Sequence, residues 1–394
     1  MALNADRLYD CLIVGGGAAG LMAATRLKGL DFLLLEGAPK VGQKLSVCGG
    51  GYANVTRTIM DSSFYLGDRA LIEPVLKAYD REWLLGFLRS LNVPLEIREG
   101  GFYFCKIPAK ELSALFERSI GRDKIRVSTR VRGVAKAQNG FEVTTDRGVL
   151  KSRSVLIATG GPSYPALGAS GDGAAFAAAL GHSAVPFAPV LSGLTLQSAQ
   201  MWMKELSGIA LGVEISVSGR IISGNLLFAH RGISGPAVLN ASLWWRKGPL
   251  SIDFLPGFDL QAAIDRGGQK TPLSLTSLPK RFIKAFMESE GIEPKAVSKL
   301  TETERQRLLS LKRYVMAPAG TFGLTKAEAC RGGVCAQEIE AQTMQSRLVP
   351  GVFFAGEVLD VTGEVGGYNL QWAFSSAAVA ADAIRQRVKG LSPN

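Results

Sequence analysis

Apolar and polar positions change period twice in the first forty residues. "LYDCLIV" is a short apolar run and predicts a strand over 8–14. Glycines follow, then an Ala/Leu-rich stretch that predicts a helix over 18–28, and "DFLLLE" predicts a second strand ending at Glu36. Together these make a βαβ unit. Further on, the alternation in "GFEVTTDRGVL" predicts a β-meander, followed by an apolar strand that ends in Thr159 and Gly160. Residues 193–255 hold short alternating runs such as "GVEISVSGRIISGNLLF", which predict an antiparallel barrel or sheet. Residues 258–315 read as mostly helical, with "SLPKRFIKAFMESEG" and "TETERQRLLSLKRYV" amphipathic. Near the end the early order returns: a strand over 351–355, a glycine-rich loop, and a small-residue helix from about 369 to 387.

Composition narrows the class. A chain of 394 residues exceeds one compact core, so two or three domains are expected. Its 46 glycines are about 12% of the chain against a usual ~7%, and they cluster, so each cluster can be asked what it touches. Five scattered cysteines form neither a disulfide framework nor a metal-ligand spacing, which points to a reducing compartment and no metal. The apolar stretch over 11–24 is too short for a membrane span, and "NADRLYD" before it is unlike a signal sequence; a cytoplasmic protein is expected. The net charge is +11, and residues 266–315 carry 11 Lys/Arg against 5 Asp/Glu. A polyanion such as nucleic acid is one reading of that excess; a solvated helix face with mixed charges is the other.

The glycines of the first turn carry the chemistry. Gly15, Gly17 and Gly20 fit G-x-G-x-x-G between a predicted strand and a predicted helix, with Ala18 and Ala19 inside the motif. In a dinucleotide site Gly15 makes the tight turn, Gly17 admits the pyrophosphate and Gly20 lets helix and strand pack. The helix N-terminus then faces the phosphates. Glu36, 16 residues after Gly20, would accept from the adenosine ribose hydroxyls and would repel a 2′-phosphate. A second cluster, Gly49, Gly50 and Gly51 in "KLSVCGGGYANVTR", reads either as a surface turn or as bare backbone against a ligand.

The layout resembles the two-dinucleotide-binding-domain flavoproteins of the glutathione-reductase type. "KLSVCGGGYANVT", "GGPSYPALGASGDG", "LFAHRGISGPAVLNAS" and "GEVLDVTGEVGGYNLQWAFSS" are together similar to the bacterial YhiN-like or BaiN-like flavoprotein family, over about residues 9 to 387. That family is described as NAD(P)/FAD-dependent or aminoacetone-oxidase-like oxidoreductases. The resemblance implies an α/β fold: a Rossmann-like FAD-binding domain interrupted by a β-barrel plus helical insert. The corresponding limits are 1–190 and 319–394 for the FAD domain, 191–257 for the barrel-like part and 258–318 for the helical part. It also implies non-covalent FAD, with the triple glycine passing the pyrophosphate and flavin ring. Asn54 matches the family loop. Cys48 replaces its serine, and Tyr52 and Ala53 replace its Arg-Cys, so no role of that arginine or thiol carries over. Lys44 adds charge near the phosphates or is solvated. Gly356, Glu357 and Asp360 contact the ribityl chain, while Gly366, Gly367, Asn369 and Leu370 bring a helix start to the pyrimidine end of the flavin. Val131, Thr159 and Gly160 complete the cofactor set.

Two histidines remain. His182 follows Gly181 and reads as a helix-end or packing residue. His230, in "LFAHRGISGP", is either a polar residue of the insert surface or a proton donor facing the flavin. Asp172 caps a helix, and Tyr164 lines the flavin or packs. No second G-x-G-x-x-G unit follows, so NAD(P)H, if it is the donor, binds without its own Rossmann domain. The reading is an FAD-dependent oxidoreductase transferring hydride through flavin N5 to or from a small-molecule substrate. Its rivals are a flavoprotein acting on RNA through the basic insert and a non-enzymatic flavin-binding module.

Overall fold

The strand Leu8–Val14 lies inside a seven-stranded sheet, parallel to Phe32–Leu35 on one side and to Gly148–Ile157 on the other. Ile125–Arg126 extends the sheet beyond Phe32–Leu35. The strand Gly148–Ile157 serves two pairings. Its first half is antiparallel to Gly140–Thr145, which in turn pairs with Val131–Ala137; its last residues, Val155 to Ile157, are parallel to Val352–Phe354. Its residues alternate between exposed and buried from Val149 to Arg153 and are continuously buried from Ser154 onward. That change follows from geometry, since the antiparallel part has one wet face and the parallel part is covered on both.

The computed structural model describes residues 7–391. The domain limits at 1 and 394 and the reading of residues 4–6 lie outside them. The chain forms two units, Met1–Ala188 with Ala329–Asn394, and Pro189–Glu328. In the first, the helix Ala18–Arg26 crosses from Leu8–Val14 to Phe32–Leu35 and packs against the long final helix, Tyr368–Leu391. Tyr368, Trp372 and Phe374 of that helix are fully buried. A separate three-stranded antiparallel sheet, Asn54–Arg57, Phe102–Cys105 and Leu95–Arg98, also belongs to this unit.

The second unit is a seven-stranded sheet with its own apolar core. It runs from Tyr314–Met316 through Leu250–Asp253, Ala210–Val217, Arg220–Ala229, Gly232–Ser234 and Leu194–Thr195 to Gly320–Thr321. The two edge strands are separated by only three residues of chain, which span at most ~14 Å between Met316 and Gly320. The sheet therefore curls back towards its own first strand, barrel-like, without a ladder closing it. The helix Lys280–Glu290 lays Phe282, Ile283 and Phe286 into this core. Among the described residues no helix is long and apolar enough to cross a membrane, and no cluster of three or more His, Cys, Asp or Glu could hold a metal ion.

Candidate functional site

The turn after Leu8–Val14 is built by close backbone contact. Gly15 has φ +106°, and a Cβ there would sit 2.6 Å from the carbonyl oxygen of Ala158. A Cβ on Gly20 would land on the carbonyl oxygen of Gly15. Gly17 differs. It is the N-cap of Ala18–Arg26, no side chain caps it, and a Cβ on it would meet no protein atom within 4 Å. The first N–H groups of the helix, from Ala18 and Ala19, have no intrahelical acceptor, and they carry the positive end of the helix dipole.

Glu36 stands beside this turn, half-buried. Its Oε2 accepts from Gly16 N–H at 2.8 Å and its Oε1 from Ala38 N–H at 2.7 Å. The carboxylate is thus fixed, with acceptor capacity left on each oxygen. Burial raises its pKa above the usual glutamate value, against the pull of the Ala38 and Gly16 bonds. Val131 is buried opposite Thr145 in the meander. Thr159 lies against Gly15 and Gly173, and Gly160 has φ +70°.

The triple glycine forms a tight turn in which Gly49, Gly50 and Gly51 have φ of +56°, +68° and +96°. Three consecutive left-handed residues are within reach of glycine alone. A Cβ on Gly50 or Gly51 would meet nothing, whereas one on Gly49 would sit 3.3 Å from the Phe104 ring. Asn54, with its amide NH2 turned inward, donates to the carbonyls of Thr56 and Tyr103 and so holds the loop's exit.

Lys44 is not a solvated lysine. Its ammonium donates to Ser163 Oγ and, at 2.7 Å, to Glu357 Oε2. The other oxygen of Glu357 accepts from Cys330 N–H at 2.9 Å. Burial, with the Glu357 charge beside it, pushes the Cys330 thiol up to about 11, so it stays protonated at neutral pH. Asp360 accepts from Gly332 N–H at 2.9 Å. Ser163 and the 329–334 strand were not singled out by the sequence. Gly356, at φ +77°, packs on the dinucleotide helix, where a Cβ would sit 2.9 Å from that of Ala19.

The start of the last helix packs closely on the three-stranded sheet. A Cβ on Gly367 would sit 2.6 Å from Thr56 N, and one on Gly366 2.8 Å from the Phe102 ring. Both glycines answer to protein packing and positive φ. Asn369 Oδ1 accepts from Gly363 N–H at 2.8 Å and its Nδ2 donates to Gly363 O at 2.9 Å, pinning the loop to the helix. Leu370 is partly buried against the core.

His182 is a core residue. Nδ1 lies 2.9 Å from Glu338 Oε2 and Nε2 2.7 Å from Ser346 Oγ. Asp172 opens the helix Asp172–Ala179, but Gly171 is its N-cap, and Asp172 pairs with Arg130 at 2.8 Å. Cys48 donates its S–H to Leu45 O. Tyr164 takes φ +61°. His230 is exposed in the turn between Arg220–Ala229 and Gly232–Ser234 of the second unit.

A dinucleotide cofactor fits the residues of the first unit. They offer an uncapped helix N-terminus, space along the Cβ directions of Gly17, Gly50 and Gly51, and an oriented carboxylate at the end of the second strand. Fold and site define a Rossmann-type flavoprotein oxidoreductase. The model of the HI0933-like protein Rossmann domain matches residues 9–383, and the chain belongs to that family. It is 34% identical over 392 residues to the ribosomal RNA dihydrouridine synthase of Escherichia coli (strain K12), covering 95% of this chain and 98% of that one. It is 29% identical over 405 residues to the 3-dehydro-bile acid delta(4,6)-reductase of Clostridium scindens, with the same coverage. Among solved structures, a 3-ketosteroid delta1-dehydrogenase from Sterolibacterium denitrificans aligns with 96% of this chain and 100% of its own, at TM-score 0.52 and 13% identity, a likeness of fold.

Proposed function

We propose that the protein is an FAD-dependent reductase of a carbon–carbon double bond conjugated to a carbonyl, acting on uridine in ribosomal RNA. The reaction class is what the two relatives' names share. Making dihydrouridine saturates C5=C6, conjugated to the C4 carbonyl; a delta(4,6) reduction saturates bonds conjugated to the 3-oxo group. Of the small-molecule and RNA alternatives, the RNA one is favoured by the 34% identity that spans nearly all of both chains.

When bound, FAD supplies two-electron chemistry, taking a hydride from a donor and passing one to the substrate. The hydride goes to the carbon β to the carbonyl and a proton to the α carbon. The chain's own part is to bind and orient. The N–H groups after Gly17 hold the pyrophosphate, Glu36 accepts from the ribose hydroxyls, and the 49–51 loop leaves room beside the cofactor. Lys44, Glu357 and Ser163 hold the polar wall between the 43–47 segment and the late loop. NAD(P)H is the proposed donor, bound without a Rossmann unit of its own. His230 is the candidate proton donor.

The experiment is to incubate the purified protein, NADH or NADPH, and ribosomal RNA from cells lacking dihydrouridine, then analyse the nucleosides by mass spectrometry. Dihydrouridine at a defined position supports the reading. Saturation of a 3-oxo-4,6-diene steroid in a parallel reaction, with RNA unchanged, would replace uridine by a small enone as the substrate.

A further inference from the structure

The three-stranded sheet of the first unit carries an uncommon row on one face. Arg57 and Arg98 both stand opposite Phe102, one on each neighbouring strand, and Phe104 follows two residues on, on the same face. The Arg57 guanidinium lies over the Phe102 ring at 4.5 Å, and that of Arg98 over Phe104 at 4.0 Å. Tyr52, which directly follows the triple glycine, is 43% exposed, its ring centre 6.0 Å from the Arg98 guanidinium. Both phenylalanines are only half-buried.

Two contacts tie this face to the candidate cofactor site. Phe104 lies under Gly49, and Phe102 lies under Gly366. The row therefore borders both glycine segments. Its arginines are held but not used up. Arg98 Nε pairs with Glu96 Oε1 at 2.6 Å, and Arg57 bonds Gly100 O through Nε at 3.1 Å and also meets the Tyr368 hydroxyl, so each guanidinium is braced over an aromatic ring. Much of the charge in the other basic segment is held in the same way. In the 266–315 segment, Lys284, Lys295, Arg305 and Lys312 are paired with Glu288, Glu304, Asp265 and Asp253, and Arg281 and Arg307 bond backbone carbonyls.

We propose that Tyr52, Arg57 and Arg98 form the surface that receives single-stranded RNA flanking the target uridine. Tyr52 stacks on a neighbouring base, and the two guanidinium groups take phosphate oxygens. Aromatic stacking with arginine contacts to the backbone is how unpaired RNA is held without a sequence code. Tyr52 stands where the family loop reads arginine, so the stacking contact belongs to this chain. The inference rests on the RNA reading above.

The test is binding of a fluorescent single-stranded RNA dodecamer containing uridine, by anisotropy at several salt concentrations, with FAD-loaded proteins. Tyr52→Ala is expected to weaken binding about tenfold, and Tyr52→Phe to restore it. Arg57→Gln and Arg98→Gln are each expected to lower the slope of log K against log salt by about 0.7. Tyr52 and Arg98 are exposed and Arg57 is partly so, and unchanged FAD content and melting temperature in the four variants check the fold. Wild-type protein that binds the dodecamer, with all variants equal to it in affinity and slope, overturns this surface and leaves the RNA reading standing. Wild-type protein that binds no RNA overturns both.

Discussion

The Lys44 ammonium and the Glu357 carboxylate, 313 residues apart in the chain, meet at 2.7 Å. Both are partly exposed, at 32% and 20% of their side chains, so solvent screens the pair. Lys44→Met and Glu357→Gln should each destabilise the protein, and the double variant should cost less than their sum. A coupling of about 1 kcal/mol is expected from a double-mutant cycle in urea. Additive losses would mean that the pair does not hold the early segment to the late loop.

Gly17 and Gly20 separate folding from cofactor binding. Gly17 has φ −78° and open space where a Cβ would go, so Gly17→Ala should fold with an unchanged apo melting temperature and bind FAD more weakly. Gly20→Ala drives a methyl group into the Gly15 carbonyl and should lower both stability and FAD content. Full FAD affinity in Gly17→Ala would move the pyrophosphate away from this turn.

Glu36→Ala removes an acceptor already aimed by two backbone N–H groups. Losing hydrogen bonds to a charged group costs about 1.5–3 kcal/mol, so FAD affinity should fall about ten- to a hundredfold in fluorescence titration. The raised pKa adds a pH effect. As pH falls, Glu36 takes a proton before an ordinary glutamate would, so wild-type affinity should begin to fall above the usual glutamate pKa, and Glu36→Ala should lack that step.

His182 gives a stability effect of known sign. Ser346 Oγ accepts from Leu348 and Val349 N–H, so its own proton goes to His182 Nε2 and the ring is neutral, with Nδ1–H donating to Glu338. Burial lowers the His182 pKa despite Glu338. The unfolded chain binds this proton more readily, so stability should drop as pH falls below about 6.5, the unfolded value. The melting temperature of His182→Gln should be flatter over that range.

The local pattern carried the cofactor unit well. Leu8–Val14 agrees with the predicted strand at both ends, because a short, mostly apolar run stopped by glycines reads as a strand. The helix begins at Ala18 as expected but ends at Arg26, two residues early, where a turn takes over. The late strand and final helix were legible for the same reason, their glycines marking the ends. What was not legible depends on residues far apart. Nothing near Asn369 in the sequence says that its amide will close on Gly363 backbone, and nothing near Gly367 names Thr56 as its neighbour. The pairing of Lys44 with Glu357 is likewise a product of the folded sheet, and so is the Arg57–Phe102–Arg98 row, set by register across three strands.

The most direct measurement follows the cofactor during turnover. Protein whose flavin has been reduced without oxygen is mixed in a stopped-flow cell with ribosomal RNA lacking dihydrouridine, and the flavin absorbance and the dihydrouridine formed are counted together. The account predicts return of the oxidised FAD spectrum with one dihydrouridine per flavin. A flavin that stays reduced in the presence of that RNA, or a released chromophore that is not FAD, would contradict it.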